Sequence, residues 1–187
     1  TTQSLGDAID FGDLFTARGA MASASSPTRG LFIGGRTNPG NGSKVNTIDF
    51  VNISTTGNAA DFGDQVTAAS HHAGCSNAVR AITGLGYHGS DYSNRVNVIE
   101  YITIATLGDA TDFGDSLLGG YGCGGSSPTR GVAGGGYFAG APTGETGGFT
   151  NIIDFVEIAT TGNSQDFGDL SAAKRHVKGD SNGHGGL

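Results

Sequence analysis

The sequence predicts an all-β fold, a propeller-like array of about four similar units with four short strands each. The tetrapeptide Asp-Phe-Gly-Asp begins at Asp10, Asp61, Asp112 and Asp166, so its copies lie 51, 51 and 54 residues apart. A fixed period of about 20 to 50 residues is typical of solenoids, propellers and arrays. Glycine contributes 35 of the 187 residues, and this content argues against long helices. Both observations favour short strands joined by turns.

The repeat divides the chain into units of about 51 residues, and the first and last units are partial. Four copies of Asp-Phe-Gly-Asp accompany only three copies of the Ile-Asp-Phe type of segment. Two arrangements satisfy this count, namely a four-bladed ring completed by both termini or an arc of a larger propeller. We expect the second arrangement, with the chain as a piece of a larger assembly. The predicted units are 1–13, 14–64, 65–115, 116–169 and 170–187.

The strands of one unit can be predicted in order. A strand at 30–35 ends in paired glycines, which suit a bulge or a close backbone approach, and it recurs at 81–86 and 131–136. In the next strand, Ile48 and Phe50 share one face while Val51 and Ile53 share the other. A strand that is apolar on both faces must lie between two layers. We expect Asp-Phe-Gly-Asp to form the third strand, and the Thr-Ala-Ala or Ser-Ala-Ala run at Thr67 and Ser171 to form the fourth.

The four acidic tetrapeptides hold 8 of the 17 acidic residues. Calcium takes six to eight oxygen ligands, so an Asp-rich glycine loop is one candidate calcium site. The interpretation we favour is turn chemistry, because Asp bonds to its own backbone and Gly supplies positive φ. On this interpretation the chain needs no cofactor and holds no metal. The repeated acidic residues are Asp10, Asp13, Asp61, Asp64, Asp112, Asp115, Asp166 and Asp169.

One arginine recurs in each unit, at Arg29, Arg80 and Arg130. A buried guanidinium must find a carboxylate or a carbonyl. We expect each arginine to pair with a repeat aspartate such as Asp64 or Asp115 and so to tie neighbouring strands together. The alternative is a row of arginines that lines a channel and binds an anion.

Residues outside the repeat give no catalytic pattern. The five histidines share no repeat position and are expected on the surface or in loops, while Cys75 and Cys123 are expected to be small buried thiols. There is no nucleophile elbow and no phosphate-binding loop ending in Gly-Lys-Ser/Thr, so we expect no enzyme. The histidines are His71, His72, His88, His176 and His184.

Charge and hydropathy exclude two classes of partner. The net charge is −7 and no cluster of Lys and Arg is present, so the chain is a poor nucleic-acid binder. No apolar run approaches the roughly 18 residues of a spanning helix, which predicts no membrane insertion.

Three loops vary in length and chemistry between the units, at 36–44, 87–96 and 137–149. Rigid scaffolds with variable loops commonly present binding groups, and aromatic side chains stack on sugar faces or anchor protein contacts. The candidate binding residues are therefore Tyr87, Tyr92, Tyr137 and Phe138. The alternative is that these loops are solvated connectors.

The order of a strand ending in Gly-Gly, a variable loop, an acidic residue beside an aromatic, and an aromatic in the next turn resembles a kelch repeat. Kelch blades usually carry Trp where this chain has Phe11, Phe62, Phe113 and Phe167, and Leu85 replaces the first glycine of one pair. The segments 99–117 and 153–170 resemble glycine-rich repeat proteins of marine bacteriophages, especially cyanophages. The resemblance implies a virion or tail structure.

These observations together predict a non-enzymatic structural or recognition module of an extracellular particle, with a phage virion or tail appendage as the leading hypothesis. The expected partners are other virion or surface proteins, or a host glycan, and we expect the chain to be part of an oligomer. The alternative function is a secreted glycan-binding lectin or adhesin-type propeller.

Overall fold

The computed structural model describes residues 7–38, 43–88, 96–117, 120–138 and 148–174, together with 177 and 179. These residues form an all-β fold of thirteen strands in three antiparallel sheets. Sheet 1 contains β1 (Ala22–Ser25), β2 (Arg29–Ile33), β3 (Thr47–Asn52) and β4 (Ala60–Asp64). Sheet 2 contains β5 (Ala73–Ser76), β6 (Arg80–Gly84), β7 (Val98–Thr103) and β8 (Thr111–Asp115). Sheet 3 contains β9 (Gly120–Ser126), β10 (Arg130–Phe138), β11 (Gly148–Phe149), β12 (Ile152–Glu157) and β13 (Gln165–Asp169).

Each sheet follows the chain as a simple meander, and each lies within one predicted unit. Sheets 1 and 2 have the strand orders β1-β2-β3-β4 and β5-β6-β7-β8. In sheet 3 the short β11 pairs with the outer end of β10. None of the described segments is a helix with the length and hydropathy needed to span a membrane.

The first strand of each sheet differs from the prediction. The runs that begin at Thr67 and Ser171 are not strands, and the meander instead starts at β1, β5 and β9. The run at Thr67 leaves the sheet because the Thr67 amide donates to the buried carboxylate of Glu100 rather than to a neighbouring strand. The prediction of a fourth strand at these runs is therefore wrong.

The hydrophobic core lies between adjacent sheets. One cluster joins Leu31 and Ile48 of sheet 1 to Ile102 of sheet 2, and a second joins Ile99 of sheet 2 to Val156 of sheet 3. Strand β7 therefore contributes Ile102 to one cluster and Ile99 to the other. Strand β7 thus has the position between two layers that the sequence predicted for this type of strand. The prediction is wrong for the segment 48–53 itself, where Ile48 is buried but Ile53 is 47% exposed.

Small residues allow the first strands of the three sheets to approach each other closely. A Cβ added at Gly74 would lie 2.7 Å from the carbonyl oxygen of Ser23, and one added at Gly124 would lie 2.6 Å from that of Gly74. Both distances are shorter than a Cβ contact allows, so these positions require glycine. The serine hydroxyls at the strand ends connect the same strands, since Ser76 Oγ donates to the carbonyl of Ser25 and Ser126 Oγ to that of Ser76.

Candidate functional site

The most regular contact between neighbouring sheets joins an acidic strand to a capping turn. We call each Asp-Phe-Gly-Asp segment an acidic strand. We call each of the three-residue segments 57–59, 108–110 and 162–164 a capping turn. Between sheets 1 and 2, the Gly108 amide donates to the carbonyl of Phe62 over 2.9 Å and the Ala110 amide to that of Asp64 over 2.8 Å. The Asp109 carboxylate in turn accepts the Asp64 amide over 2.9 Å. Three hydrogen bonds thus fix the acidic strand of sheet 1 to the next unit.

The same three bonds recur in the other two copies. Asn58 and Asn163 take the place of Asp109 and accept the amides of Asp13 and Asp115 over 3.0 Å. Neutral and charged side chains therefore serve equally well, because the only requirement is an oxygen that accepts an amide hydrogen. The segment 10–13 joins the capping turn of sheet 1 in this way, although it belongs to the preceding unit of the repeat.

The glycine of the acidic strand is required by its geometry. Gly63 has a φ of +145°, and a Cβ there would lie 2.5 Å from the carbonyl oxygen of Gly108. Gly12 and Gly114 face the next capping turns in the same way. The positive φ and the close backbone approach each exclude larger residues.

The aspartates that open the first and last acidic strands form local turns. Asp10 and Asp166 each accept the amide of the glycine two residues later over about 3 Å, which is the Asx-turn arrangement. Among the described residues, no group of three or more His, Cys, Asp or Glu side chains is arranged to hold a metal ion. The carboxylates of Asp10 and Asp166 therefore make turn contacts of the kind that the sequence predicted.

The repeated arginines connect sheets, but their partners differ from the prediction. Arg29 Nη1 donates over 2.7 Å to the carbonyl of Ile104 in the next unit, and Arg80 donates to the carbonyls of Ile158 and Ala159. Carbonyls replace the expected Asp64 and Asp115 because the guanidinium crosses at the ends of β7 and β12, where backbone oxygens are free of the strand ladder. The guanidinium groups of the three arginines also lie over aromatic rings, which in chain order are those of Phe50, Tyr101 and Phe155.

Arg130 behaves differently from the other two arginines. It lies over Phe155 like its counterparts, but its Nε pairs over 2.7 Å with Glu157 of its own sheet. Both side chains are about half exposed. The contact of Arg130 therefore stays within sheet 3.

Sequence reasoning missed one functional position, a buried carboxylate in the third strand of each unit. Asp49, Glu100 and Asp154 occupy the same place in β3, β7 and β12, and all three are buried. The signal is visible in the sequence, because each acidic residue lies between apolar neighbours in a strand that is apolar on both faces. A carboxylate in such a position requires a partner.

Each buried carboxylate holds the segment that follows the acidic strand of the preceding unit. Asp49 pairs with Arg18 over 3.1 Å, and both side chains are fully buried. Glu100 accepts the amides of Val66 and Thr67 over 3.2 and 3.0 Å. Burial raises the pKa of Glu100, and these two amides oppose that rise.

Asp154 completes this series with a third kind of partner. Its Oδ2 accepts the hydroxyls of Ser116 and Ser164 over 2.7 and 2.6 Å. Ser116 follows the acidic strand of sheet 2, so Asp154 also holds the segment after an acidic strand. The group that is held is a hydroxyl at Asp154, a pair of amides at Glu100 and a guanidinium at Asp49.

His72 lies in the loop before β5, as the sequence predicted for the histidines, but its ring is buried. Both of its ring nitrogens are buried, and its ring lies against Gly86, where an added Cβ would come within 2.9 Å of Nε2. Burial and the neighbouring His71 lower the pKa of His72 to about 4. His88 is exposed, as predicted for it, and its Nδ1 lies 3.0 Å from the carbonyl of Ala68. His176 and His184 lie outside the described residues.

Cys75 is the thiol whose surroundings are described. Burial raises the pKa of its thiol to about 12, and an added Cβ at Gly131 would lie 2.5 Å from its Sγ. Its side chain therefore packs between sheets 2 and 3. Cys123 lies in β9, and its side chain is not among those that the structure describes.

The candidate binding residues of the variable loops have different surroundings. Tyr87 is 1% exposed, its ring stacks on His71 at 4.7 Å and Lys44 Nζ lies 5.2 Å from the ring centroid, so the ring is buried and does not present a binding surface. Tyr137 is half-buried and packs edge-on against the exposed Phe149 at 5.8 Å. Phe138 ends β10, and its side chain is outside the description, as is the whole of Tyr92.

A scan against models of known protein families and a search of curated proteins both return no match for this chain.

Proposed function

We propose that the chain is a non-enzymatic structural and recognition module of an extracellular particle, such as the virion or tail of a bacteriophage, built from kelch-type propeller blades. The observation that carries the proposal is the use of the repeated residues. The capping turns and the arginines of the first two sheets make contacts between units, and the buried carboxylates hold the segments that lead from one sheet to the next. A chain that uses its repeated positions to join units is suited to a structural role.

The variable loops supply the recognition part of the proposal. The three sheets share one strand order and their first strands lie side by side, so the ends of β2, β6 and β10, which lead into the variable loops, lie along one edge. The loops differ in length and sequence from unit to unit, while the strand order of the sheets is the same. Rigid scaffolds commonly present binding groups in this way. Surface or virion proteins are the partners that this arrangement suits.

Detection of the chain in purified particles tests this function. Antibodies raised against the chain are applied to density-gradient fractions of phage particles and of host cells from the source material. We expect the chain to sediment with particles at a fixed copy number, and electron microscopy of those particles counts the blades in each ring. Detection in cell fractions alone would contradict the proposal.

Glycan binding is a second candidate, favoured by the aromatic pair Tyr137 and Phe149. The pair flanks the variable loop at 139–147, and Phe149 is exposed. A glycan array with the wild-type chain and with Tyr137→Ala and Phe149→Ala tests it. Phe15→Ala, which removes an exposed aromatic of the segment that precedes sheet 1, is the matched control. The absence of binding by the wild-type chain excludes the lectin function.

A further inference from the structure

The acidic strand at the end of sheet 3 has an open side. A Cβ added at Gly12, Gly63 or Gly114 would lie 2.3–2.5 Å from a backbone atom of the next capping turn, whereas a Cβ at Gly168 would meet nothing within 4 Å. Phe62 and Phe113 are 3% exposed, but the equivalent Phe167 is 57% exposed. Within the described residues, β13 therefore presents the same backbone groups as the other acidic strands, but to solvent.

The complementary half of this contact is present elsewhere in the chain. Residues 5–13 read LGDAIDFGD and differ from residues 107–115, LGDATDFGD, only by Ile9 in place of Thr111. In the second segment, Asp109 and Ala110 form the capping turn that binds Asp64. The equivalent Asp7 and Ala8 are exposed. The chain thus exposes both an acidic strand and the residues that cap one.

We propose that Asp7 and Ala8 of a second copy of this chain cap β13. The Asp7 carboxylate accepts the amide of Asp169, and the Ala8 amide donates to the carbonyl of Asp169, as their counterparts do between sheets 1 and 2. The Ala8 methyl lies against Phe167, because Ala110 belongs to the same buried cluster as Phe62. The contact continues the interface that joins the units within one chain.

The two surfaces in this contact are different, so it is heterologous. Head-to-tail contacts of this kind produce closed rings or open filaments, depending on the rotation between copies. The proposal does not depend on the function proposed above, since it rests only on the repeated contact between units. An assembly that grows by one chain at each end is the expected product.

Sedimentation velocity of the full chain at increasing concentration, up to about 1 mM, tests the contact. We expect the wild-type chain to form species larger than one chain, and Asp7→Ala and Phe167→Asp each to shift it to the monomer. Asp61→Ala removes the same charge from an internal acidic strand, and Val79→Asp introduces the same charge at an apolar residue that is 57% exposed. Both controls should assemble as the wild type does.

Mixing the two interface variants distinguishes a heterologous contact from any other. Asp7→Ala keeps an intact β13, and Phe167→Asp keeps an intact Asp7, so an equimolar mixture still forms one good contact. We expect a dimer with one copy of each variant and nothing larger. Circular dichroism checks that each variant is folded, and Asp7→Ala preserves the test if Phe167→Asp does not fold. A wild-type chain that stays monomeric, or assembly that neither variant changes, overturns the proposal.

Discussion

Two contacts recur where one unit follows another, and they follow different rules. At the edge, the capping turn binds the acidic strand through the same three hydrogen bonds in every copy. In the interior, the buried carboxylate occupies the same place but has a guanidinium, two amides or two hydroxyls as its partner. The edge is constant because it is made of backbone, whose geometry any copy reproduces. The interior is fitted separately in each unit because side chains must compensate a buried charge.

The largest effect is expected where the interior contact is an ion pair. Asp49→Ala leaves the buried guanidinium of Arg18 without its carboxylate, and an uncompensated buried charge costs about 3–5 kcal/mol of unfolding free energy. Denaturant unfolding of the variant measures the loss. Asp10→Ala removes the same group from an exposed acidic strand and should cost much less.

A double replacement sharpens this prediction. Arg18 Nε and Nη1 have no hydrogen-bond partner among the described residues, so desolvation of the pair is only partly compensated. Arg18→Met combined with Asp49→Leu should therefore recover most of the stability lost in Asp49→Ala. Equal losses in the single and double variants would show that packing around this position, rather than charge, accounts for the effect.

The edge contact is tested by a pair of glycines with the same backbone conformation. Gly63 and Gly168 have φ values of +145° and +139°, but only a Cβ at Gly63 would meet the next capping turn. Gly168→Ala should cost about 1–3 kcal/mol from backbone strain alone, and Gly63→Ala should cost more because the clash adds to the strain. Denaturant unfolding at low concentration, where chains do not associate, measures both. Equal losses would contradict a role of the capping turn in stability.

The dependence of stability on pH tests the burial of His72, a histidine that has no counterpart in the other units. The pKa of His72 is about 4 in the folded chain, against 6.5 for the ordinary group, so the unfolded chain binds the proton more tightly. The contribution of the neutral ring is therefore complete above pH 6.5 and is lost as the pH falls to 4, by up to about 3 kcal/mol.

His72→Gln should flatten the stability profile in this window, and unfolding curves between pH 4 and 7 measure the change. His88→Gln is the control, since His88 is exposed. The raised pKa of Glu100 acts in the opposite direction, as it lowers stability when the pH rises above 4.5, and it remains in both variants. An unchanged slope in His72→Gln would show that this ring stays accessible to protons in the folded chain.

The sequence predicted the features that depend on periodicity and missed those that depend on small residues or on irregular segments. The apolar positions on both faces of the segment 48–53 predicted a strand between two layers, and its counterpart β7 has that position. Strands β1 and β5 were missed because Ala, Gly and Ser have low strand propensity, and they form strands here since small residues let neighbouring sheets approach. The buried carboxylates were visible as acidic residues among apolar ones, but their partners come from segments without a pattern.

The repeated arginines give the smallest effect and lie between the two kinds of contact. All three lie over an aromatic ring, but among the described residues only Arg29 and Arg80 donate to the next unit. Arg29→Met and Arg80→Met should each cost about 2 kcal/mol, because a hydrogen bond to a charged group is lost with the ring contact. Arg130→Met should cost under about 1 kcal/mol, since its pair with Glu157 is half exposed. Equal losses in all three variants would mean that the ring contact, and not the bond between sheets, is the stabilising part of this repeated residue.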